Sequence, residues 1–317
     1  MLLVRNIRLP LSCPDPDAEA AAQALHILRV PAHKAARCGV AKLSVDARHG
    51  KPVLVYTMAI TLKDEGEESA YAGASPCVCF TQPARFSFSV GDTALKTRPV
   101  VVGLGPAGLF AALLLARSGF RPLVLERGPE LDERVKAVEH FEKTGELNLN
   151  ANIQFGEGGA GTFSDGKLTT RVGDPLCAFV TDAFLQHGAP ADIAWRQKPH
   201  VGTDLLRGII RSIRQEIIAL GGEVRFNTAL TGLKIENGAL ASVETTAGDF
   251  ACEQLILAVG HSARDTFAML HRQGMPLECK PFSVGFRAEH LQTEIDKSLY
   301  HAAAGHPVLP VGEYQLS

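Results

Sequence analysis

Apolar and polar positions alternate along residues 1–97 in the manner of strands that bury one face. The alternation predicts strands over residues 2–9, 41–46 and 53–62. Between the first two strands, Asp-Pro at 15–16 predicts the start of a helix, which ends before Pro31. A hairpin is predicted at 49–50 (His-Gly), and a polar loop is predicted over 64–75. The order β-α-β-β predicts a small N-terminal α+β domain.

From residue 98 onward, the apolar residues form unbroken runs instead of alternating. Such runs predict strands buried on both faces, as in a parallel sheet with both sides covered. These strands are predicted over residues 99–102, 122–126 and 254–259, and a further parallel strand is predicted over residues 224–227 after the second helix. Helices are predicted over 109–119 and 204–220, and Asn237 with Gly238 predicts a hairpin between two short strands. The predicted fold class is α/β, with a Rossmann-like doubly wound parallel sheet and a β-meander.

The second domain is predicted to cover residues 98–279. Residues 127–200 are too many for a plain connection between neighbouring strands of its sheet. We therefore predict that they form a glycine-rich insertion with a functional loop.

The composition limits the classes of function. The chain has 317 residues, 46% of them hydrophobic and 21% charged, with a net charge of −2. These values exclude intrinsic disorder and argue against a nucleic-acid-binding protein, which needs a basic surface. Residues 100–116 carry no charge, but their glycines and proline favour a buried strand-turn-helix over a membrane span.

The seven cysteines are irregularly spaced, and the close pair Cys77 and Cys79 has no second pair at zinc-ligand spacing. We therefore predict neither a disulfide framework nor a metal site. The first residues lack the apolar core of an export signal. A reducing, cytoplasmic location is the resulting expectation.

A glycine pattern lies between the first strand of the second domain and the helix that follows it. Gly103 permits a tight turn, Gly105 lets the backbone approach a pyrophosphate, and Gly108 lets the helix pack close to the strand. The helix start at Pro106 and Ala107 offers N–H groups and a positive dipole end to phosphates. The pattern predicts a dinucleotide site.

Two further positions support that site. Glu126 ends the second strand, where a carboxylate accepts hydrogen bonds from a ribose diol and repels a 2′-phosphate. This argues against NADP as the ligand. In residues 255–261, a buried strand runs into Gly260, which allows a ligand to approach the carboxyl end of the same sheet.

Residues 152–168 form a second glycine-rich segment, with five glycines between Gly156 and Gly166. Backbone N–H groups of such a loop can meet a ligand at close range. The candidate contacts are Gly158, Gly159, Ser164 and Lys167. No catalytic acid or base is assigned, and Ser164, Asp165 and Lys167 are the candidates.

The same segment leaves an NTPase open as a less favoured alternative. Residues 161–167 match the first seven positions of a phosphate-binding P-loop. However, Leu168 stands where Ser or Thr would bind Mg²⁺, and no buried strand precedes the loop.

Taken together, these motifs resemble a known family. The positions similar to the FAD fingerprint of glutathione-reductase-like flavoproteins are Gly103, Gly105, Gly108, Ala112, Gly119, Glu126 and Arg127. Within that superfamily, residues 152–168 resemble a signature of bacterial FAD-dependent dehydrogenases of unassigned substrate. Other segments that resemble the family are residues 44–48, 198–204, 258–265 and 280–287.

The resemblance implies an FAD-dependent oxidoreductase. Hydride would pass between the flavin N5 atom and either a substrate carbon or NAD(P)H, and the partner would be a small-molecule substrate of unknown identity. The glycine-rich loop at 156–167 would border the flavin ring.

The resemblance also assigns residues to the cofactor. Residues 103–108 would hold the FAD pyrophosphate. Glu126 would bind the adenosine ribose with Arg127 beside it, Leu230 would meet adenine through its backbone, and Gly260 would let the dinucleotide pass.

Members of this family continue into a substrate domain and a late Gly-Asp segment that closes over the ribityl chain. No such segment follows Val259. We therefore expect a C-terminally truncated chain in which residues 280–317 begin an incomplete substrate domain. The alternative function is a non-catalytic dinucleotide-binding fragment that lacks the complete flavin pocket.

Overall fold

The computed structural model describes residues 1–48, 50–73, 75–82, 86–164, 166, 168, 170, 172, 174–196, 201–286 and 288–314. The chain forms two compact units. The first consists of Met1–Arg85, Ala194–Pro199 and Pro281–Ser317, and the second of Phe86–Ile193 and His200–Lys280. The domain boundaries 1–97, 98–279 and 280–317 stay a prediction, because compactness does not show which segments fold alone.

The first unit is built on an antiparallel sheet. Its strands are β1 (Leu2–Pro10), β2 (Ala35–Asp46), β3 (Val53–Leu62) and β4 (Val78–Phe80). They stand in the order β2-β3-β1-β4, and helix α1 (Pro16–Leu28) packs on β1 and β3. In β3, every second residue from Leu54 to Leu62 is buried, as the alternating pattern predicts. The predicted N-terminal α+β fold is confirmed.

Helix α1 begins where the sequence predicts. The Asp15 carboxylate accepts a hydrogen bond from the Ala18 N–H at 3.1 Å, and Pro16 occupies the first turn. This cap satisfies one of the N–H groups that a helix start leaves without a partner. The buried face is formed by Ala20, Ala24 and Leu28, which are spaced four residues apart.

Several details of this unit differ from the prediction. Strand β2 begins at Ala35, six residues before the predicted start at residue 41. Part of the predicted loop over 64–75 is a 3-10 helix, Glu65–Tyr71, and the Asp64 carboxylate accepts a hydrogen bond from the Gly66 N–H at its start. Strand β4 was not predicted, because three residues are too few to show an alternating pattern. The β2–β3 hairpin is confirmed by the pairing of Asp46 with Val53, while His49 lies outside the described residues.

The second unit contains two sheets. Its strands are β5 (Val100–Val102), β6 (Leu123–Leu125), β7 (Glu223–Arg225), β8 (Leu230–Glu236), β9 (Ala239–Thr245), β10 (Gly248–Ala251) and β11 (Leu255–Leu257). The parallel sheet has the order β11-β5-β6-β7, and β8, β9 and β10 form an antiparallel meander. The predicted α/β fold with a parallel sheet and a β-meander is confirmed.

The helices of this unit are α2 (Pro106–Arg117), α3 (Leu131–Thr144), α4 (Leu176–Gln186), α5 (Thr203–Ala219) and α6 (Arg264–Arg272). Helices α2 and α5 lie within a few residues of their predicted positions. The region over 127–200 contains α3 and α4 besides its glycine-rich loop. A further helix, α7 (Gln292–Tyr300), belongs to the first unit.

The unbroken apolar runs follow from how the parallel sheet is covered. Val101 and Val124 lie in a core shared with α2 and α5. Their neighbours Val100 and Leu125 lie in a second core, shared with the meander. Because successive side chains of a strand point to opposite faces, no position in β5 or β6 is left for a polar residue.

The two strands at the ends of this sheet are covered less completely. The prediction of burial on both faces is wrong for β11, since Ile256 and Leu257 are 38% and 37% exposed. Strand β7, at the other end, carries Glu223 and Arg225 and is also not buried on both faces.

The predicted hairpin at Asn237 and Gly238 is confirmed. Glu236 pairs with Ala239, and both turn residues have positive φ, +51° and +78°. This geometry is typical of the two-residue turn that Asn-Gly favours. Within the part of the chain that the structure describes, every helix is too short or too polar to cross a membrane.

Candidate functional site

A cavity of about 480 Å³ opens at the carboxyl ends of β5, β6 and β11. The last residues of these strands, Val102, Leu125 and Leu257, contribute to its lining. Open parallel sheets bind ligands at this edge, and small-molecule sites have volumes of roughly 300–1,000 Å³. The cavity therefore has the position and size of a cofactor site.

The turn between β5 and α2 forms one wall of the cavity. Gly103 has a φ of +96°, and a Cβ atom there would lie 2.5 Å from the Ala258 carbonyl oxygen. A Cβ atom on Gly108 would overlap the Gly103 carbonyl oxygen. At Gly105, by contrast, no atom lies within 4 Å of the Cβ position. Packing therefore requires the first and third glycines, whereas Gly105 leaves open space at the cavity wall.

Helix α2 begins at this wall, since Gly105, Pro106 and Ala107 all line the cavity. The first N–H groups of a helix have no acceptor within it, and they carry the positive end of the helix dipole. Proline at the first position has no N–H to satisfy. The arrangement suits an anionic ligand such as a phosphate.

Glu126 lines the cavity and is 3% exposed. Its Oε2 atom accepts a hydrogen bond from the Leu104 N–H at 2.8 Å, and its Oε1 atom accepts one from the Gly128 N–H at 2.9 Å. Each carboxylate oxygen keeps a further lone pair for a ligand hydroxyl. Glu126 thus fixes the glycine turn and also offers an acceptor to the cavity.

Arg127 lines the same cavity and forms an ion pair with Asp265 of α6, with 2.6 Å between Nη2 and Oδ2. This contact lowers the pKa of Asp265. The Arg127 Nε atom is buried and has no hydrogen-bond acceptor among the described residues. An unmatched buried donor of this kind costs about 1–3 kcal/mol.

The glycine-rich loop forms another wall, through Gln154, Phe155, Gly156, Gly159 and Ala160. The Gly158 N–H donates to the Leu104 carbonyl at 2.8 Å, next to the glycine turn. Gly159 lies so close to Pro106 that a Cβ atom would be 2.6 Å from the proline Cδ. The loop is therefore packed directly against the start of α2.

Glu157 holds this loop through contacts in the protein interior. It is fully buried, and its Oε2 atom accepts a hydrogen bond from the Leu131 N–H at 2.8 Å. Arg214 Nε lies 2.8 Å from its Oε1 atom, although the N–H direction does not meet hydrogen-bond geometry. Burial raises the pKa of Glu157, and the Arg214 charge opposes that effect.

Most residues predicted to bind the cofactor surround this one cavity: Gly103, Gly105, Pro106, Ala107, Glu126, Arg127, Gly159, Leu230 and Gly260. Gly108 and Gly158 pack against its walls without lining it. Ser164 is not brought to the cavity, since it is exposed and its Oγ atom donates to the Gly161 carbonyl at 3.3 Å. Asp165 and Lys167 lie outside the described residues. The cofactor role of each residue stays a prediction.

Several cavity residues were not predicted: Gln154, Phe155, Thr228, His261, Ser262 and Thr266. Gln154 and Phe155 belong to the glycine-rich segment, so the motif itself pointed to them. Thr228 is buried, and its Oγ atom donates to the Phe226 carbonyl at 3.0 Å. No sequence pattern distinguishes Thr228 or Thr266 from other threonines.

The P-loop alternative does not have its required context. A P-loop follows a buried strand and runs directly into a helix. Residues 145–159 contain no strand, and residues 164, 166, 168, 170 and 172 lie outside any helix. Helix α4 begins only at Leu176. In the described part of the chain, no group of three or more His, Cys, Asp or Glu side chains is arranged to hold a metal ion.

Comparison with known proteins gives a match to a family model and to a curated relative. The model described as "FAD-dependent protein, C-terminal domain-like" matches residues 281–317. An uncharacterized protein of Clostridium beijerinckii is 50% identical over 231 residues, covering 73% of this chain and 43% of that protein. The chain thus spans less than half the length of the curated relative that it matches.

Solved structures give more distant likenesses. THI4 of Thermovibrio ammonificans has a TM-score of 0.38 at 15% identity, covering 57% of this chain and 64% of that one. L-amino acid deaminase from Proteus myxofaciens has a TM-score of 0.31 at 16% identity, covering 61% and 51%. The atypical thioredoxin reductase TRi of Desulfovibrio vulgaris has a TM-score of 0.28 at 23% identity, covering 52% of this chain and 37% of that one. Likeness at this level assigns no function.

Proposed function

We propose that the chain binds FAD in this cavity and serves as the flavin-binding part of an oxidoreductase. The observation that carries the proposal is the meeting of two groups in one cavity: the start of α2 and the Glu126 carboxylate. A dinucleotide presents a pyrophosphate to the first and ribose hydroxyls to the second. The resemblance of the glycine motifs to FAD-dependent dehydrogenases supports the same ligand.

Bound FAD would supply hydride transfer, and the protein would bind and orient it. The start of α2, with the N–H group of Ala107 at the cavity wall, would hold the pyrophosphate, and Glu126 the adenosine ribose. Leu230 would meet the adenine through its backbone. The substrate, NAD(P)H as hydride donor and a cytoplasmic location stay predictions.

Ligand titrations test the proposal directly. We expect FAD and ADP to bind competitively, FMN to bind about tenfold more weakly or worse, and 2′-phospho-ADP to be disfavoured by the buried Glu126 charge. Isothermal calorimetry on the purified chain, with a flavin absorbance spectrum of the FAD complex, measures this order. Equal binding of FMN and FAD, or binding of neither FAD nor ADP, would contradict the proposal.

A second candidate is a non-catalytic dinucleotide-binding protein. The observation in its favour is that the contacts assigned to the adenosine and pyrophosphate line the cavity, whereas Ser164 does not. Reduction of bound FAD separates the two functions. Bleaching of the flavin by NADH, NADPH or another donor supports the oxidoreductase, and ADP binding without FAD binding supports the second candidate.

The chain is expected not to hydrolyse ATP in the presence of Mg²⁺. Leu168 offers no oxygen to the metal, and among the described residues after the loop the next helix begins only at Leu176. A phosphate-release assay measures this outcome. Steady release that is lost in Lys167→Ala would favour the NTPase instead.

A further inference from the structure

Arg134 is a buried charged residue outside the cavity lining whose guanidinium makes five hydrogen bonds. It lies in the first turn of α3 and has no exposed surface. Burial lowers its pKa to about 10, so the guanidinium is still charged at neutral pH. A charge in this position needs several partners, because burying it without them is unfavourable.

The partners of Arg134 all belong to the glycine-rich loop. Nε donates to the Asn152 carbonyl at 3.0 Å, and Nη2 donates to the Ile153 carbonyl at 3.0 Å. Nη1 is directed to three further acceptors: the Glu157 carbonyl at 2.7 Å, the Gly159 carbonyl at 2.9 Å and Thr162 Oγ1 at 3.1 Å. The guanidinium also lies over the Phe163 ring, 4.8 Å from its centroid.

These contacts replace the backbone pairing that the loop lacks. Apart from the 3-10 turn Ala160–Phe163, residues 145–164 form neither helix nor strand. Buried carbonyl groups in such a segment need donors from elsewhere. One side chain therefore fixes acceptors spread over residues 152–162. The lack of a side chain at Gly156 is part of the fit, because a Cβ atom there would lie 2.7 Å from Arg134 Cδ.

The fixed loop is the same one that meets the start of α2. Gly159 contacts Pro106, the Gly158 N–H bonds to the Leu104 carbonyl, and Gly156 and Gly159 line the cavity. A shift of the loop would change the width of the cavity at the helix N-terminus. Arg134 itself does not line the cavity, so any influence it has on a ligand passes through the loop.

We propose that Arg134 is a positioning residue for the dinucleotide: its guanidinium holds the glycine-rich loop at the start of α2, where the pyrophosphate binds. The proposal rests on the dinucleotide-binding function proposed above. A lysine cannot replace Arg134, because one ammonium group cannot reach acceptors on several sides of a planar guanidinium.

The test compares Arg134→Lys and Arg134→Ala with wild type and with a control, Arg211→Ala. Arg211 pairs with Asp132 in the first turn of the same helix α3, but both side chains are largely exposed, 38% and 59%. Removing it deletes one positive charge near the site without touching the loop. An exposed pair of this kind is worth little, so the control should bind ADP like wild type.

Two readouts are measured on each protein. Hydrogen exchange without ligand should show faster exchange at residues 153–164 in both Arg134 variants, with α5 unchanged. ADP affinity by calorimetry should fall by about tenfold or more in Arg134→Lys. In Arg134→Ala, millimolar guanidinium should restore most of the ADP affinity, and urea should not.

A loop that exchanges faster while ADP affinity stays at the wild-type value would overturn the proposal, because Arg134 would then brace the loop only. If Arg134→Ala folds, lost ADP binding that guanidinium does not restore also overturns the proposal. If Arg134→Ala unfolds generally, Arg134→Lys decides, and wild-type ADP affinity in a folded Arg134→Lys overturns the proposal. Failure of the wild-type chain to bind ADP or FAD contradicts the proposed function itself. That outcome is distinguishable, because it appears before any variant is made.

Discussion

A Gly105→Val variant is expected to lose FAD and ADP binding by about hundredfold or more while keeping its fold. The backbone at Gly105 has a φ of −67° and ψ of −177°, which a β-branched residue adopts without strain. No protein atom lies within 4 Å of the Cβ position. The new side chain therefore does not clash with the protein, and it projects at the cavity wall where a pyrophosphate would lie.

The matched control for this variant is Gly208→Val. Gly208 lies in α5 of the same unit, also has open space around its Cβ position, and does not line the cavity. Circular dichroism should give wild-type melting for both variants, and calorimetry should show lost binding only for Gly105→Val. Tight FAD binding by Gly105→Val would show that the glycine turn does not contact the dinucleotide.

The glycine fingerprint shows why part of the site could be predicted from the sequence. Each glycine has a separate local cause, since Gly103 needs positive φ, Gly108 needs contact with a carbonyl, and Gly105 needs open space. The positive φ of Gly103 and the contact of Gly108 with the Gly103 carbonyl arise within the turn, so the spacing carries them, although the Ala258 carbonyl that also crowds Gly103 is distant in sequence. The central strands β5 and β6 could be predicted for a similar reason, because burial on both faces leaves an unbroken apolar run.

Arg134 and Arg127 show what could not be predicted. Arg134 precedes its loop acceptors by 18 to 28 residues, and in the sequence it stands among the charged residues of an amphipathic helix. Its spacing from Leu131 and Val138 places it on the buried face of the helix, unlike the exposed Lys136, but no acceptor for its charge can be read from the sequence. The Asp265 partner of Arg127 is 138 residues away. Such pairings depend on the tertiary arrangement and not on local spacing.

The short elements show a second limit. Strand β4 has three residues, and the 3-10 helix over Glu65–Tyr71 lies in a polar stretch. Strands and helices are recognised from apolar residues that recur every 2 or every 3.6 residues. Elements this short contain too few residues for such a repeat to show. The side-chain cap at Asp64 was the available signal, since Asp, Ser and Asn favour helix starts.

A Glu126→Gln variant is expected to lose both stability and dinucleotide affinity. Its carboxylate accepts hydrogen bonds from the N–H groups of Leu104 and Gly128 on separate oxygens. An amide has only one accepting oxygen, so one buried N–H would face an NH₂ group. Leaving a buried donor unsatisfied costs about 1–3 kcal/mol of unfolding free energy. The loss of the negative charge also weakens the bond to the ribose hydroxyls, and we expect ADP affinity to fall about tenfold.

Urea unfolding and calorimetry measure these two effects separately, and Glu130→Gln is the control. Glu130 loses the same charge four residues later, but its side chain is 47% exposed in its ion pair with Arg214, so its stability should change by less than about 0.5 kcal/mol. If Glu126→Gln is as stable as wild type but loses ADP, the carboxylate acts on the ligand and not on the turn. If Glu126→Gln is destabilised but binds ADP normally, Glu126 only stabilises the glycine turn, and the prediction that it binds the adenosine ribose is wrong. A loss in both shows that one buried carboxylate holds the turn and the ligand at once, as its four lone-pair positions allow.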